Sequence, residues 1–262
     1  MTHSTSSQEL PRPHRALFVS DVHLCKALPK TTQRFFDFLH FAAFHAEKLY
    51  LLGDLFEYWA GDDDMPDEYN QTVIAAIRAV SEQGCQVFWM AGNRDFLVGE
   101  KFAEETNLAL LTDPSIVTIE EKQIVLTHGD AQCTDDLAYM AFRQMVRQSD
   151  WLKNFLKMPL AQRKAIIEGM RKESVQGQKT KDAAIMDVNE EAIMALFADA
   201  KVSLMIHGHT HRPAIHTYAS KTRFVLPDWE CDNETEGSRG GWISIDAAGT
   251  ITRHSLEELP TG

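Results

Sequence analysis

The chain has 262 residues, 44% of them apolar and 24% charged, with 38 acids against 26 bases for a formal net charge of −12. Such a composition supports a sizeable globular core and excludes disordered and fibrous classes. No apolar run approaches the ~18 residues of a spanning helix, the opening MTHSTSSQELPRPHR lacks the apolar centre of a secretory signal, and the acid surplus argues against nucleic acid as a partner.

Residues 1–14 are expected to be a disordered tail. From Arg15, ALFVSDVHL predicts a short buried strand that ends in polar residues, and KLYLLGD, QVFWMAGNRD, QIVLTHGD and VSLMIHGHTH repeat the design. Helical spacing over 31–47 and 66–83 separates the first three strands, so the pattern predicts an α/β layered sheet. The stretch 135–200 breaks the alternation and predicts consecutive helices interrupted at Pro159 and Gly177, a helical insert within one core made of 15–134 and 201–258. Further strands are predicted over 214–218, 223–226, 241–246 and 250–255, as a second and largely antiparallel sheet.

The insert is basic and greasy together. From Arg143 to Lys181 it holds ten Lys or Arg and three Asp or Glu, a local charge of +7 that leaves −19 for the rest. Trp151, Leu152, Phe155, Leu156, Met158, Leu160, Ile166, Ile167 and Met170 fall in the same stretch. Two readings follow: a packed helical pair with a solvated basic face, or a lid over an anionic, apolar ligand at an anionic membrane surface that Lys153, Lys157, Arg163 and Lys164 would meet. Cys25, Cys85, Cys133 and Cys231 form no CxxC pair, so they read as idle thiols in a reduced, cytoplasmic setting.

The strand ends carry the chemistry. They are Asp21-x-His23, Gly53-Asp54, Gly92-Asn93, His128-Gly129 and Gly208-His209-x-His211, seven ligand-capable side chains that follow apolar runs. Ligands of open α/β sheets gather beyond the carboxyl ends of strands, so these residues can converge. Carboxylate, imidazole and amide donors without thiolate suit Mn2+, Fe or Zn2+, and seven are too many for one ion. A pair of metals about 3.5–4 Å apart, sharing a carboxylate and clamping a phosphate, is the simplest expectation. His207 precedes the last glycine and is left out of the ligand set.

This ordered set resembles the calcineurin-like metallophosphoesterase superfamily, over roughly residues 15–212. The resemblance implies a four-layer αββα sandwich carrying the helical lid insert. It also implies two Mn2+ ions, one held by Asp21, His23, Asp54 and His211 and the other by Asp54, Asn93, His128 and His209, with Asp54 as the bridge.

The third motif departs from the superfamily's usual GNHE or GNHD, whose histidine is thought to protonate an alkoxide leaving group. Here it is Gly92-Asn93-Arg94-Asp95. Arginine stays charged and donates no proton, but it grips phosphate oxygens with paired hydrogen bonds. A leaving group that needs no proton is implied, such as a phosphate monoester with a second pKa of about 6, and hence a pyrophosphate linkage. The plainer alternative has Arg94 bracing a loop through a neighbouring acid.

GNRDF together with the insert is similar to the UDP-2,3-diacylglucosamine diphosphatases of lipid A biosynthesis. That resemblance implies attack on the α-phosphorus of UDP-2,3-diacylglucosamine, releasing UMP and 2,3-diacylglucosamine 1-phosphate, with catalytic roles for Asp54, Asn93 and Arg94. Substrate contacts would fall on Asn93, Arg94, Asp136, Ser174, Gln178, Lys181 and His209, and the enzyme would sit peripherally on the cytoplasmic face of the inner membrane. Gln178 stands where a smaller polar residue is expected. The segment Leu226-Pro227-Asp228-Trp229 is followed by ECDNETEGSRGGW, longer and more acidic than the family's turn, with an effect expected on late strand pairing alone. Rival readings are a phosphoesterase for a soluble nucleotide or diester, a nuclease, and a non-catalytic scaffold. The insert separates the first, because a soluble substrate would require its nine apolar residues to be fully buried.

Overall fold

Strands that are apolar at every position need a covering layer on each face, and the chain supplies four layers. The computed structural model describes residues 12–178, 187–235 and 237–260. β1 (His14–Val19), β2 (Lys48–Leu52) and β3 (Gln86–Met90) are parallel neighbours, with Leu17 opposite Leu49 and Leu51 opposite Trp89. α1 (Pro29–His45) and α2 (Glu68–Glu82) connect them, close to the predicted spans. Two short elements lie outside the sequence expectation: α3 (Glu100–Thr106) and β4 (Ala109–Leu111), a further parallel strand beside β3.

The second sheet holds β5 (Ser115–Ile119), β6 (Lys122–Leu126), β7 (Leu204–His207), β8 (Ile215–Tyr218) and β9 (Lys221–Val225) in the order β5-β6-β7-β9-β8. β6, β7 and β9 are parallel, and the two edge strands are antiparallel. The last strands, β10 (Gly241–Asp246) and β11 (Ile251–Ser255), join the first sheet through an antiparallel pairing of β10 with β1. This corrects the expectation of one late antiparallel sheet. The cause is the open edge of β1, where Ile243 and Ile245 enter the core between the sheets while Trp242 turns outward onto Phe38 and Phe41 of α1.

Alternation along each strand divides the core. Leu17, Val19, Leu49, Leu51, Val87 and Trp89 face α1, α2 and α3, whereas Ala16, Phe18, Tyr50, Leu52 and Met90 face the second sheet and meet Ile124, Leu126 and Ile206. On the far side, Val125 and Met205 pack under Ile193 and Phe197 of α7 (Glu190–Ala200). The αββα sandwich follows from a period of two on strands buried on both faces.

α4 (Leu137–Val146), α5 (Ser149–Leu156) and α6 (Leu160–Gln178) form the helical part that stands over the strand ends. Pro159 separates α5 from α6, but Gly177 lies inside α6. A glycine near a helix end costs only ~1 kcal/mol relative to alanine, too little to enforce a break. At the other end of the chain the fold begins earlier than expected, since Arg12 bonds to the Ala46 and Gln83 carbonyls and His14 opens β1. Residues 1–11 of the expected tail lie outside the described residues.

Candidate metal centre

The parallel strands of both sheets deliver the candidate ligands to one edge of the sandwich. Asp21 and His23 follow β1, Asp54 follows β2, Asn93 and Arg94 follow β3, His128 follows β6, and His209 and His211 follow β7. Asp21, His23, Asp54, His209 and His211 all have φ between +52° and +67°, the left-handed region that non-glycine residues rarely adopt. Bonds between the turns hold them there. The His23 N–H donates to the Asp54 carbonyl at 3.0 Å and the Gly208 N–H to the His128 carbonyl at 2.9 Å. Buried Asp95 accepts from the N–H groups of Gly92, Asp54, Leu55 and Phe56, tying the second and third turns together. Burial and the Asp54 charge push its carboxyl up to about 6. Gly92 and Gly208 are required by close approach, because a Cβ on the first would strike Asp54 and on the second Asp21 and Ser20.

Two groups of donor atoms result, Asp21–His23–His211 and Asp54–His128–His209, each with its atoms within 4.8 Å of one another. His23 Nε2 faces His211 Nε2 at 3.2 Å, and Asp21 Oδ1 lies 3.5 Å from the latter. Asn93 Oδ1 is 3.0 Å and Asp54 Oδ1 3.6 Å from His128 Nε2. The structure thus assembles all seven predicted ligands. His207 stays apart: its Nε2 accepts from Arg223 at 2.9 Å, and burial with the Arg223 charge pushes it down to about 3.

These side chains fit a pair of cations on their own chemistry. Asp21 Oδ2 accepts from Ser20 Oγ at 2.5 Å and from the His209 N–H at 2.9 Å, while among the described residues the buried Oδ1 has no hydrogen-bond donor. The 2.9 Å bond of His128 Nδ1 to the Leu52 carbonyl requires hydrogen on Nδ1, which leaves the Nε2 lone pair aimed into the cluster. Burial alone would lower the His128 imidazole, but the charges of Asp54, Asp21 and Asp130 outweigh it and raise it to about 9. A divalent cation would relieve that negative field. Asp228 lies 3.6 Å from His211 Nδ1 and is itself held by Arg239 at 2.8–2.9 Å, and the Trp229 N–H donates to the Asp21 carbonyl. The acidic segment therefore reaches the site, contrary to the expectation that it concerns strand pairing alone. The reason is topological: it crosses from β9 to β10 past the ends of β7 and β1.

The family model for calcineurin-like phosphoesterases matches residues 14–213. The chain belongs to the calcineurin-like phosphoesterase family. This phosphoesterase is 47% identical to a UDP-2,3-diacylglucosamine hydrolase of Aromatoleum aromaticum, over 83% of this chain and 90% of that one. It is 46% identical to a UDP-2,3-diacylglucosamine hydrolase of Haemophilus influenzae, over 81% and 89%. Among solved structures, a novel archaeal phosphodiesterase aligns with a TM-score of 0.45 at 13% identity, covering 92% of this chain and 98% of that one. The family makes the chain a metal-dependent hydrolase and carries the αββα fold seen above.

Over the phosphoesterase's ligand cluster opens a cavity of about 670 Å³. Its floor includes His23, Asp54, Asn93, Arg94, His209 and His211, and its walls include Tyr58, Trp59, Phe96, Phe142, Trp151, Phe155, Ile167 and Met170. Of the nine apolar insert residues only Phe155 is buried; Trp151, Ile167 and Met170 line the cavity half-buried, and Leu156 is 43% exposed.

The insert's bases mostly fasten it to the core. Arg163 is buried and bonds to Asp63 and to the Ala60 carbonyl, Lys164 pairs with Asp64 at 2.5 Å, and Arg171 pairs with Glu57. Arg143 and the Tyr139 hydroxyl both donate to Asp130, and Arg147 donates to the Gly92 carbonyl. Arg163 and Lys164 therefore do not belong to a free basic face, because the acids of the 3₁₀ turn Asp62–Asp64 draw them inward.

Arg94 donates to Glu57 Oε1 at 2.9 Å, and its backbone N–H donates to Asp54 Oδ1 at 2.8 Å. An acid does neighbour it, at the edge of the cavity. Asp136 caps α4 by accepting from the Tyr139 N–H at 3.1 Å and also lines the cavity. Ser174 and Gln178 fall in the last turns of α6, and Lys181 lies outside the described residues. Sequence reasoning missed Glu57, Asp130, Tyr139, Arg171 and Asp228. Of these Asp130 closes the quoted motif QIVLTHGD, and Glu57 had a local signal as an acid inside the otherwise apolar run that follows Asp54.

Proposed function

We propose that this phosphoesterase hydrolyses the pyrophosphate bond of UDP-2,3-diacylglucosamine at the α-phosphorus, using two Mn2+ ions held by Asp21, His23, Asp54 and His211 and by Asp54, Asn93, His128 and His209. The observation that carries this reading is the two-sided cavity: polar ligand atoms and Arg94 on its floor, half-buried Trp151, Ile167 and Met170 in its wall. A soluble nucleotide would leave that apolar wall in water. The two hydrolases named in the comparison above carry that substrate in their names.

Bound metals supply Lewis-acid polarisation of a phosphoryl oxygen and a low-pKa water. The chain's residues do the rest. Asn93 and His209 orient the α-phosphate beside the ligand cluster, and Arg94 holds oxygens of the departing phosphate. Hydrolysis consumes one water: its oxygen joins the α-phosphorus, the bridging P–O bond breaks, and that electron pair leaves on 2,3-diacylglucosamine 1-phosphate. Such a group needs no proton from Arg94, in keeping with a guanidinium where relatives of the superfamily use histidine. Asp136 and, on α6, Ser174 and Gln178 with Lys181 beyond it would grip the sugar and nucleotide as the insert, 135–178, covers the acyl chains. α7 belongs with the core layer rather than with this lid.

Association with the cytoplasmic face of the inner membrane is part of the proposal. Among the described residues no helix is long and apolar enough to cross a membrane. Exposed Lys153 and Lys157 flank Leu156 on the lid, which supports peripheral contact with anionic lipid. Hydrolysis in 18O-labelled water tests the chemistry. Label in UMP is expected, and label in the sugar 1-phosphate would refute α-attack.

A further inference from the structure

Glu57 is a half-buried carboxylate on the way out of the second motif, with 19% side-chain exposure. Its two oxygens are used for different purposes. Oε2 lies 3.2 Å from His23 Nδ1. Oε1 receives two guanidinium groups, Arg94 Nη1 at 2.9 Å and Arg171 Nη2. Arg94 comes from the third motif and Arg171 from α6 of the lid, with its guanidinium also 5.6 Å from the Tyr58 ring centre. One side chain thus joins the imidazole of His23, the guanidinium of Arg94 and the helical cover of the cavity.

We propose that Glu57 is a positioning residue that couples the seating of the lid to the orientation of His23. This rests on the metal centre described above. The charge of a carboxylate 3.2 Å from Nδ1 favours the hydrogen on that nitrogen, although the pair is not aligned as a hydrogen bond, and so leaves the Nε2 lone pair directed at the cluster, where it faces His211. The same carboxylate holds two like charges side by side at the cavity edge, a pairing that a neutral group would not sustain. When Arg171 leaves Glu57, the lid loses an anchor and the carboxylate is freer to drift from His23. The cover and the metal ligand therefore share one latch.

Glu57→Gln keeps the shape and removes the charge. An amide NH2 turned toward His23 favours hydrogen on Nε2, the wrong nitrogen for a ligand. Titration of the full chain with Mn2+ alone should show two ions bound by the wild type. In Glu57→Gln, one of them should be weakened about 10–100-fold. Excess Mn2+ should restore kcat while KM for the lipid diphosphate stays raised, because Arg171 still lacks its partner. Arg171→Met should raise KM and weaken one ion by less than Glu57→Gln does.

Unchanged affinity for both ions in Glu57→Gln would overturn the proposal, as would weakened binding with an unaltered KM. A wild type that binds no pair of Mn2+ ions would instead remove the metal centre itself. In the unaltered metal-free chain, long-range 1H–15N spectra should place the His23 hydrogen on Nδ1; the opposite tautomer would overturn the latch without reliance on any variant.

Discussion

Asp54 occupies the crossing point of the site: its Oδ1 accepts the Arg94 N–H, lies 3.6 Å from His128 Nε2, and its backbone N–H reaches Asp95. Asp54→Asn should therefore lose at least one metal ion and at least 100-fold in turnover, read by metal analysis and initial rates. Retained turnover would sink its role as a bridge. Arg94→Ala removes a guanidinium that bonds to Glu57 and lies 4.0 Å from Asp54 Oδ2 but keeps the backbone N–H that Asp54 accepts, so it should lower kcat on the diphosphate while both ions stay bound. Loss of metal in that variant would contradict the division of roles. The seven ligands were legible because each follows an apolar run and lies beside a glycine or one residue from another ligand. Glu57 and Asp228 were not, because the imidazoles they approach come from other turns, and only the packing of strand ends brings them together.

At the scale of elements, period and length identified the strands and the first two helices, since both faces of β1, β2 and β3 are buried and their runs are continuously apolar. β4 has three residues, too few to show a period, and β10 could not be assigned to a sheet because pairing is a property of edges, not of local sequence. The acidic turn before β10 also serves an element: Asp232 accepts the N–H groups of Lys30 and Thr31 at 2.9–3.0 Å and so caps α1. The charge of the insert was counted correctly and its destination was not. A count cannot show that Arg163, spaced like any exposed base, points inward to Asp63 and the Ala60 carbonyl. Arg163→Ala should cost roughly 2 kcal/mol in a denaturation curve, as loss of a buried charged donor leaves the buried Ala60 carbonyl unpaired. KM for the lipid should rise with it. Lys153→Gln combined with Lys157→Gln should leave stability unchanged and reduce binding to anionic vesicles, and equal binding would remove the membrane role of that face.

Across the whole molecule, two sheets with parallel strands set their carboxyl ends along one edge, so five distant motifs share a site and the helical insert only needs to cover it. Several carboxylates held close in a buried cluster make the cation part of the folded state. Mn2+ at about 100 times its dissociation constant should add about 2.7 kcal/mol per site, seen as a rise in Tm that chelator reverses. An unchanged Tm would mean that the cluster is not a metal centre. The most direct test of the account is to strip the chain with chelator, restore Mn2+, supply UDP-2,3-diacylglucosamine beside a soluble nucleotide diester, and identify the products. The account predicts Mn2+-dependent release of UMP from the lipid and little turnover of the diester. Rapid hydrolysis of the diester with the lipid left intact would keep the phosphoesterase centre and contradict the lipid diphosphate as its substrate.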